Sequence, residues 1–542
     1  MVTILSDNII SPLGETTAEN LLAVHRGCFA LKEHHYDGMP EPFVASLFDK
    51  PIAFEEGLIK TISSSIAEAQ SRGFAIDASA EDVIFIISST KGNVTDFERI
   101  GLSARHVAEY FGNENQPIVV SNACISGLSA QILAQRLLEA WDYKYAIVSG
   151  YDVQSKFIVS GFSSFKAMSP DPCRPFDGDR CGLNLGEAAA SMILAGETES
   201  VDNGWILKSS AIRNDAVHIS NPSKTGEGCW RAIRQVRRSL GDENVKPTCI
   251  CAHGTATLFN DEMEAAAICH VGLSDVPTFS LKGYYGHTMG AAGIMESILA
   301  LHAADEGWIP ATKGFEEPGT RHNIHVTAHE ESCDNPEVLK LLSGFGGCNA
   351  ALWYSKDKSA HSMVEKVSPV LSCEAELDSS AVECLTDFYR QNKNEIGDYP
   401  KFYKMDPLCK LGFLASEILL NKEGLPRFEA KEDRAIVIFT RNGSMACDKA
   451  YQETIKSPDN FYPSPSVFVY TLSNIVTGEI ALRNHYYGET SCYILEERDE
   501  DLMMKILSST FQDRGINSII AGWLDYEDDR HFEAKLGIYN RK

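Results

Sequence analysis

An internal repeat restricts the possible folds of this chain more than any other feature. Val83–Val94 (VIFIISSTKGNV) has a counterpart in Ile436–Ala446 (IVIFTRNGSMA), and Tyr145–Asp152 (YAIVSGYD) recurs as Ser518–Asp525 (SIIAGWLD). A helical pattern at Leu58–Ala69 is echoed at Lys410–Leu420, and the second copy carries extra residues around Ser457–Ser473. Short apolar runs bounded by turn residues, alternating with helical periodicity, mark layered α/β structure. Pro117–Ser121 (PIVVS) and Ala189–Ala195 add further strands, and Gly127–Trp141 has apolar residues at helical spacing. The repeat therefore predicts one α/β unit used again near the C-terminus. Residues 356–395, more polar and mixed, read as a linker between a first domain over 1–355 and a second over 396–542.

Composition narrows the function classes. With 44% hydrophobic and 23% charged residues, the chain can fill large cores. A formal net charge of −26 argues against a nucleic-acid partner, whose phosphates demand a basic face. No apolar run approaches the ~20 residues of a membrane span. Met1–Gly14 lacks the basic and apolar regions of a signal peptide. The 15 cysteines have no zinc-type spacing and read as reduced thiols, so a cytoplasmic protein without a metal site is expected.

Four motifs carry chemistry. Ser121-Asn-Ala-Cys124-Ile-Ser-Gly-Leu places a thiol between a buried strand and a helix, where the helix N-terminus is expected to favour a thiolate. Cys251-Ala-His253-Gly-Thr and Lys282-Gly-Tyr-Tyr-Gly-His287-Thr-Met-Gly each put a histidine on a glycine-flanked turn. Ser343-Gly-Phe345-Gly-Gly-Cys-Asn is a glycine-rich turn whose N–H groups can face an oxyanion.

In this order and at these distances the motifs resemble those of the β-ketoacyl-(acyl carrier protein) synthases of the thiolase superfamily. Ser11-Pro-Leu-Gly14, Gly161-Phe-Ser-Ser-Phe-Lys-Ala-Met-Ser169, Arg174-Pro-Phe-Asp177-Gly-Asp-Arg180 and Gly186-Glu187-Ala extend the resemblance over nearly all of 1–355. It implies a five-layer αβαβα sandwich, with a thiolase-like half-domain following it. It also implies a 3-oxoacyl-carrier synthase joining an acyl group on Cys124 to malonyl-carrier by decarboxylative Claisen condensation, in fatty acid, polyketide or polyene synthesis. His253 and His287 would stabilise the decarboxylation enolate, and the N–H groups of Cys124 and Phe345 would form an oxyanion hole. The Phe345 ring would act as a gate. Lys282 and Glu187 resemble supporting ionic residues, with an ordinary buried ion pair as the alternative. The implied partners are acyl- and malonyl-loaded acyl carrier protein and a second subunit, in a homodimer or a heterodimer with a related synthase, joined through the strand before the nucleophile. No cofactor is implied.

Two further readings follow. Ile125, next to the nucleophile, is bulkier than the residue many members carry and is expected to shorten or redirect the acyl pocket. Aligning the repeat through Gly150 and Gly522 sets Cys124 opposite Glu496, so the C-terminal copy lacks a nucleophile. The alternative function is a non-catalytic chain-length-factor-like or carrier-binding scaffold.

Overall fold

The computed structural model describes residues 1–196, 203–358, 366–457 and 461–542. Residues 359–365 of the expected linker and 458–460 of the expected insertion lie outside these. Fifteen strands join in one sheet, and they fall into three groups of five. The first comprises β1 (Val2–Ile10), β2 (Val83–Ser88), β3 (Ile118–Val120), β4 (Tyr145–Gly150) and β5 (Ala189–Ala195). The second comprises β6 (Ile206–Asn214), β7 (Cys249–Cys251), β8 (Thr278–Phe279), β9 (Glu337–Gly344) and β10 (Cys348–Ser355). The third comprises β11 (Pro369–Asp378), β12 (Arg434–Thr440), β13 (Thr490–Ile494), β14 (Ser518–Asp528) and β15 (His531–Arg541).

Each group has the same spatial order: third strand, second, fourth, fifth, first. The second strand pairs parallel with its two neighbours, and the last two contacts are antiparallel. The expected repeat is thus present, and the topology occurs a third time in the second group.

Helices Ser126–Glu139 and Ala292–Asp305 lie between the first two groups and are buried almost all round, as a central layer must be. Phe54–Ser71 and Ile100–Tyr110 cover the outer face of the first group, and Glu227–Ser239 and Leu258–His270 cover that of the second. The result is the expected five-layer αβαβα sandwich. In the third group, Pro407–Glu423 covers one face. The other face, with Val437, Phe439, Tyr493 and Trp523, merges into the core of the sandwich itself. Among the described residues no helix is long and apolar enough to cross a membrane.

Three expectations change. The stretch read as a linker contains β11, which pairs with β15. As the end strand of the sheet it buries only Ala375 and Leu377, so the apolar alternation that reveals a strand is weak there. The strand edge reserved for a second subunit is occupied from within. There β3 pairs antiparallel with β13, Val120 opposite Tyr493 and Val119 opposite Ile494, and the Ser121 N–H donates to the Cys492 carbonyl at 3.1 Å.

The repeat alignment also moves by one residue. Asp152 accepts from Ser89 Oγ and the N–H groups of Thr90 and Lys91, and Asp525 accepts from Thr440 Oγ1 and the N–H groups of Arg441 and Asn442. The turn ends each time on a left-handed glycine, Gly92 (φ 54°) or Gly443 (φ 53°). Val120 faces Ser88 as Tyr493 faces Phe439, so Cys124 corresponds to Glu497, not Glu496.

Candidate active site

Cys124 sits on a single 3-10 turn, Ala123–Ile125, between β3 and helix Ser126–Glu139. Ala123 has φ 48°, a left-handed conformation that costs a non-glycine residue about 1 kcal/mol or more. The turn is held by Ser126 Oγ, which donates to the Ala123 carbonyl (2.6 Å) and accepts from the Asn122 N–H (2.8 Å). Asn122 Oδ1 in turn accepts from the Cys492 N–H of the third group (2.7 Å). The second group repeats this elbow at Met289, φ 52°, two residues after His287. Gly127 and Gly293 let the two central helices touch there, since a Cβ on Gly127 would lie 2.7 Å from the Gly290 carbonyl.

The two histidines are fixed through their backbones and are buried. Glu264 accepts from the N–H groups of His253 (2.6 Å) and Gly254 (2.8 Å). The His287 N–H donates to the Asn184 carbonyl at 2.7 Å. The Met289 N–H donates to His287 Nδ1 (3.3 Å), which leaves the proton on Nε2. That Nε2 and His253 Nδ1 are buried without a partner. The rings stand edge to face, centroids 5.1 Å apart. One donor atom each from Cys124, His253 and His287 lie within 4.8 Å of one another. That spacing suits a metal ion as well as an acyl thioester.

The electrostatics favour neutral groups. Burial, reinforced by the ammonium groups of Lys282 and Lys340, holds both histidines well below the usual imidazole value. Burial pushes the Cys124 thiol up to about 12, against the pull of Lys282 and of the Cys124 and Phe345 N–H groups. Burial thus opposes the thiolate expected from the helix N-terminus.

Phe345 lies on the turn between β9 and β10, its ring 5.6 Å from that of Phe165 and 6.3 Å from that of Phe162. With Cys124, Leu183 and Ile219 these rings line a largely apolar cavity of about 260 Å³. Ile125 does not line it; its side chain packs into the central core, so the expected shortening of the pocket by this residue is not seen.

Of the two supporting residues, Lys282 forms a buried ion pair with Glu296 (2.7 Å), which also binds Lys340 (2.6 Å). Lys340 Nζ further donates to the Ala252 carbonyl beside His253 (3.2 Å). Glu187 takes no part in this cluster. Its carboxylate accepts the N–H groups of Phe48 and Gln154, both at 3.0 Å, and so ties loops together. Glu296 and Lys340 were missed by motif reasoning. Their signal was a lone charge inside an apolar run, Ala292–Ala304 and Val338–Leu342, where a charge must find a partner.

Two family models match the chain: "Beta-ketoacyl synthase, N-terminal domain" over residues 88–200 and "Beta-ketoacyl synthase, C-terminal domain" over 205–316. The tetracenomycin polyketide synthase ketoacyl synthase alpha subunit of Streptomyces glaucescens is 32% identical over 279 residues, 48% of this chain and 64% of that protein. The chain thus spans under two thirds of the length of such curated relatives. Among solved structures, the ketosynthase ApeO in complex with its chain length factor ApeC, from Xenorhabdus doucetiae, is 25% identical with a TM-score of 0.58. It covers 65% of this chain and 97% of that one. The PfaC keto synthase-chain length factor covers 100% of this chain and 78% of that one at a TM-score of 0.78 and 13% identity, a likeness of fold.

Proposed function

We propose that the chain, which matches the β-ketoacyl synthase family models over residues 88–200 and 205–316, is an acyltransferase performing decarboxylative Claisen condensation on carrier-bound thioesters. The observation that carries this reading is the meeting of Cys124 with two neutral imidazoles, each with one buried ring nitrogen free of a partner, at the end of an apolar cavity.

In the first step the Cys124 sulfur adds to the carbonyl of an acyl-carrier thioester. The bond to the carrier sulfur breaks, and the thiol proton leaves with the carrier thiol. The N–H groups of Cys124 and Phe345 stabilise the oxyanion formed on the way. In the second step malonyl-carrier loses carbon dioxide. The electron pair of the broken C–C bond becomes an enolate, whose oxygen accepts hydrogen bonds from His253 and His287. The enolate carbon then attacks the Cys124 thioester, the C–S bond breaks, and the departing Cys124 thiolate takes a proton from solvent as the 3-oxoacyl-carrier leaves. Neutral imidazoles suit this role, since they donate without competing for the carboxylate as cations would. Burial, reinforced by Lys282 and Lys340, keeps them neutral. The reaction is driven by loss of carbon dioxide and needs no cofactor.

The third group of strands, lacking a nucleophile and docked on β3, fits a chain-length-factor-like role supplied in cis. The test is intact-protein mass after incubation with acyl-carrier. One acyl group on wild type and none on Cys124→Ala supports the reading. No acyl group on wild type would make the chain a carrier-binding scaffold.

A further inference from the structure

The third group does more than cover an edge, because it reaches the Phe345 turn. Asn474, 1% exposed at the start of helix Ile475–Asn484, donates from Nδ2 to the Phe345 carbonyl at 2.8 Å. The same turn rests on that helix through two glycines, for a Cβ on Gly478 would lie 2.6 Å from the Gly346 carbonyl. Asn214 Nδ2 links the Gly346 carbonyl (2.8 Å) to Thr490 Oγ1 of β13 (3.0 Å). Phe345 is therefore held through both of its flanking peptides, with its N–H toward the Cys124 sulfur and its carbonyl accepting from Asn474 Nδ2 and from Cys348 Sγ.

Stability alone does not explain this asparagine. Its Oδ1 is buried without a partner, which costs about 1–3 kcal/mol, whereas its neutral hydrogen bond to Phe345 returns about 0.5–1.5 kcal/mol and its other contact, to Cys348 Sγ at 3.7 Å, is long and weak. An apolar residue of similar size would do better there if packing were all that mattered.

We propose that Asn474 is a positioning residue for acyl transfer, holding the Phe345 turn so that the Phe345 N–H points where the thioester oxygen gains charge. The inference rests on the condensation reading above. It makes the nucleophile-free unit part of the first chemical step, acting through Phe345. Decarboxylation of malonyl-carrier, which draws on the histidines, does not use this donor, whereas the later attack of the enolate on the Cys124 thioester meets the same oxyanion hole.

The experiment uses the full chain with Asn474→Ala and Asn474→Asp, the latter of equal size but presenting oxygen to the Phe345 carbonyl. Cys124 loading from acyl-carrier is timed by mass spectrometry, and decarboxylation of malonyl-carrier by the fully loaded protein is timed separately. Removing one oxyanion donor costs about 10²–10³ in rate, so a displaced donor is expected to slow loading about 10–100-fold. Decarboxylation should stay within about threefold in both variants, so that the split between the two steps is the readout even where the buried carboxylate of Asn474→Asp lowers the melting temperature. Unchanged loading, or equal loss of both steps, overturns the proposal. If the asparagine variants do not fold, Gly478→Ala displaces the same turn from the same helix and must give the same split. Wild-type loading is the control: its absence sinks the condensation reading, while normal wild-type loading with normal variant loading sinks only the role of Asn474.

Discussion

Glu489→Ala should destabilise the whole protein by about 3–5 kcal/mol. Glu489 precedes β13 and meets Arg136 of the Cys124 helix in a two-pronged pair, Nη1 to Oε1 at 3.0 Å and Nη2 to Oε2 at 2.9 Å. Arg136 is 4% exposed and Glu489 fully buried. Breaking such a pair from one side strands a desolvated guanidinium, and the cost of about 3–5 kcal/mol is that stranding, not the value of the pair. Against a typical stability of about 5–15 kcal/mol the loss is large. Replacing both partners, Arg136→Met with Glu489→Leu, removes charge and counter-charge together and should recover most of the loss. The exposed pair Arg238–Glu243, with half of each side chain in water, serves as the control: removing Glu243 should change little. The assay is urea unfolding followed by fluorescence and by circular dichroism, with coincident transitions required before a free energy is quoted. A Glu489→Ala loss below about 1 kcal/mol would mean that the third group docks loosely on the sandwich, and the reasoning from burial would fail.

Because burial pushes the Cys124 thiol up to about 12, iodoacetamide near pH 7.5 should label the exposed Cys28, Cys181 and Cys384 before Cys124. The sign is that of a raised thiol: labelling of Cys124 should keep rising with pH beyond 9, and a plateau below pH 8 would contradict it. His253→Ala or His287→Ala should slow malonyl-carrier decarboxylation about 10²–10³-fold with Cys124 loading largely intact, measured by carbon dioxide release and protein mass; wild-type decarboxylation in either variant would remove that residue from the step. A chain ending at residue 358 loses the β13 partner of β3 and the Asn474 contact, and is expected to lose solubility and most Cys124 loading; a soluble truncation that loads at the full rate would show the third group to be dispensable.

The reacting residues were legible because each sits in a local turn whose residue types are dictated by chemistry. A small residue at Ala123, glycines at 254, 286, 346 and 347, and the side chains of Cys124, His253, His287 and Phe345 are all needed within a few positions of one another. The repeat was legible for the same reason, as buried parallel strands must be apolar throughout. What the amino-acid order alone could not settle was non-local. The strand β11 carries little apolar alternation because it ends the sheet, so only its pairing with β15 reveals it. A lone charge in an apolar run says that Glu296 and Lys340 need partners, but only the fold shows that Glu296 joins Lys282 and Lys340 in one buried cluster. The charge state of Cys124 depends on how much water the fold removes, which no motif encodes. The destination of the third group is of the same kind. An edge strand such as β3 accepts any partner of suitable register, and it was the surrounding packing of Arg136 on Glu489, Arg213 on Asp513 and Lys91 on Asp448 that selected the chain's own β13.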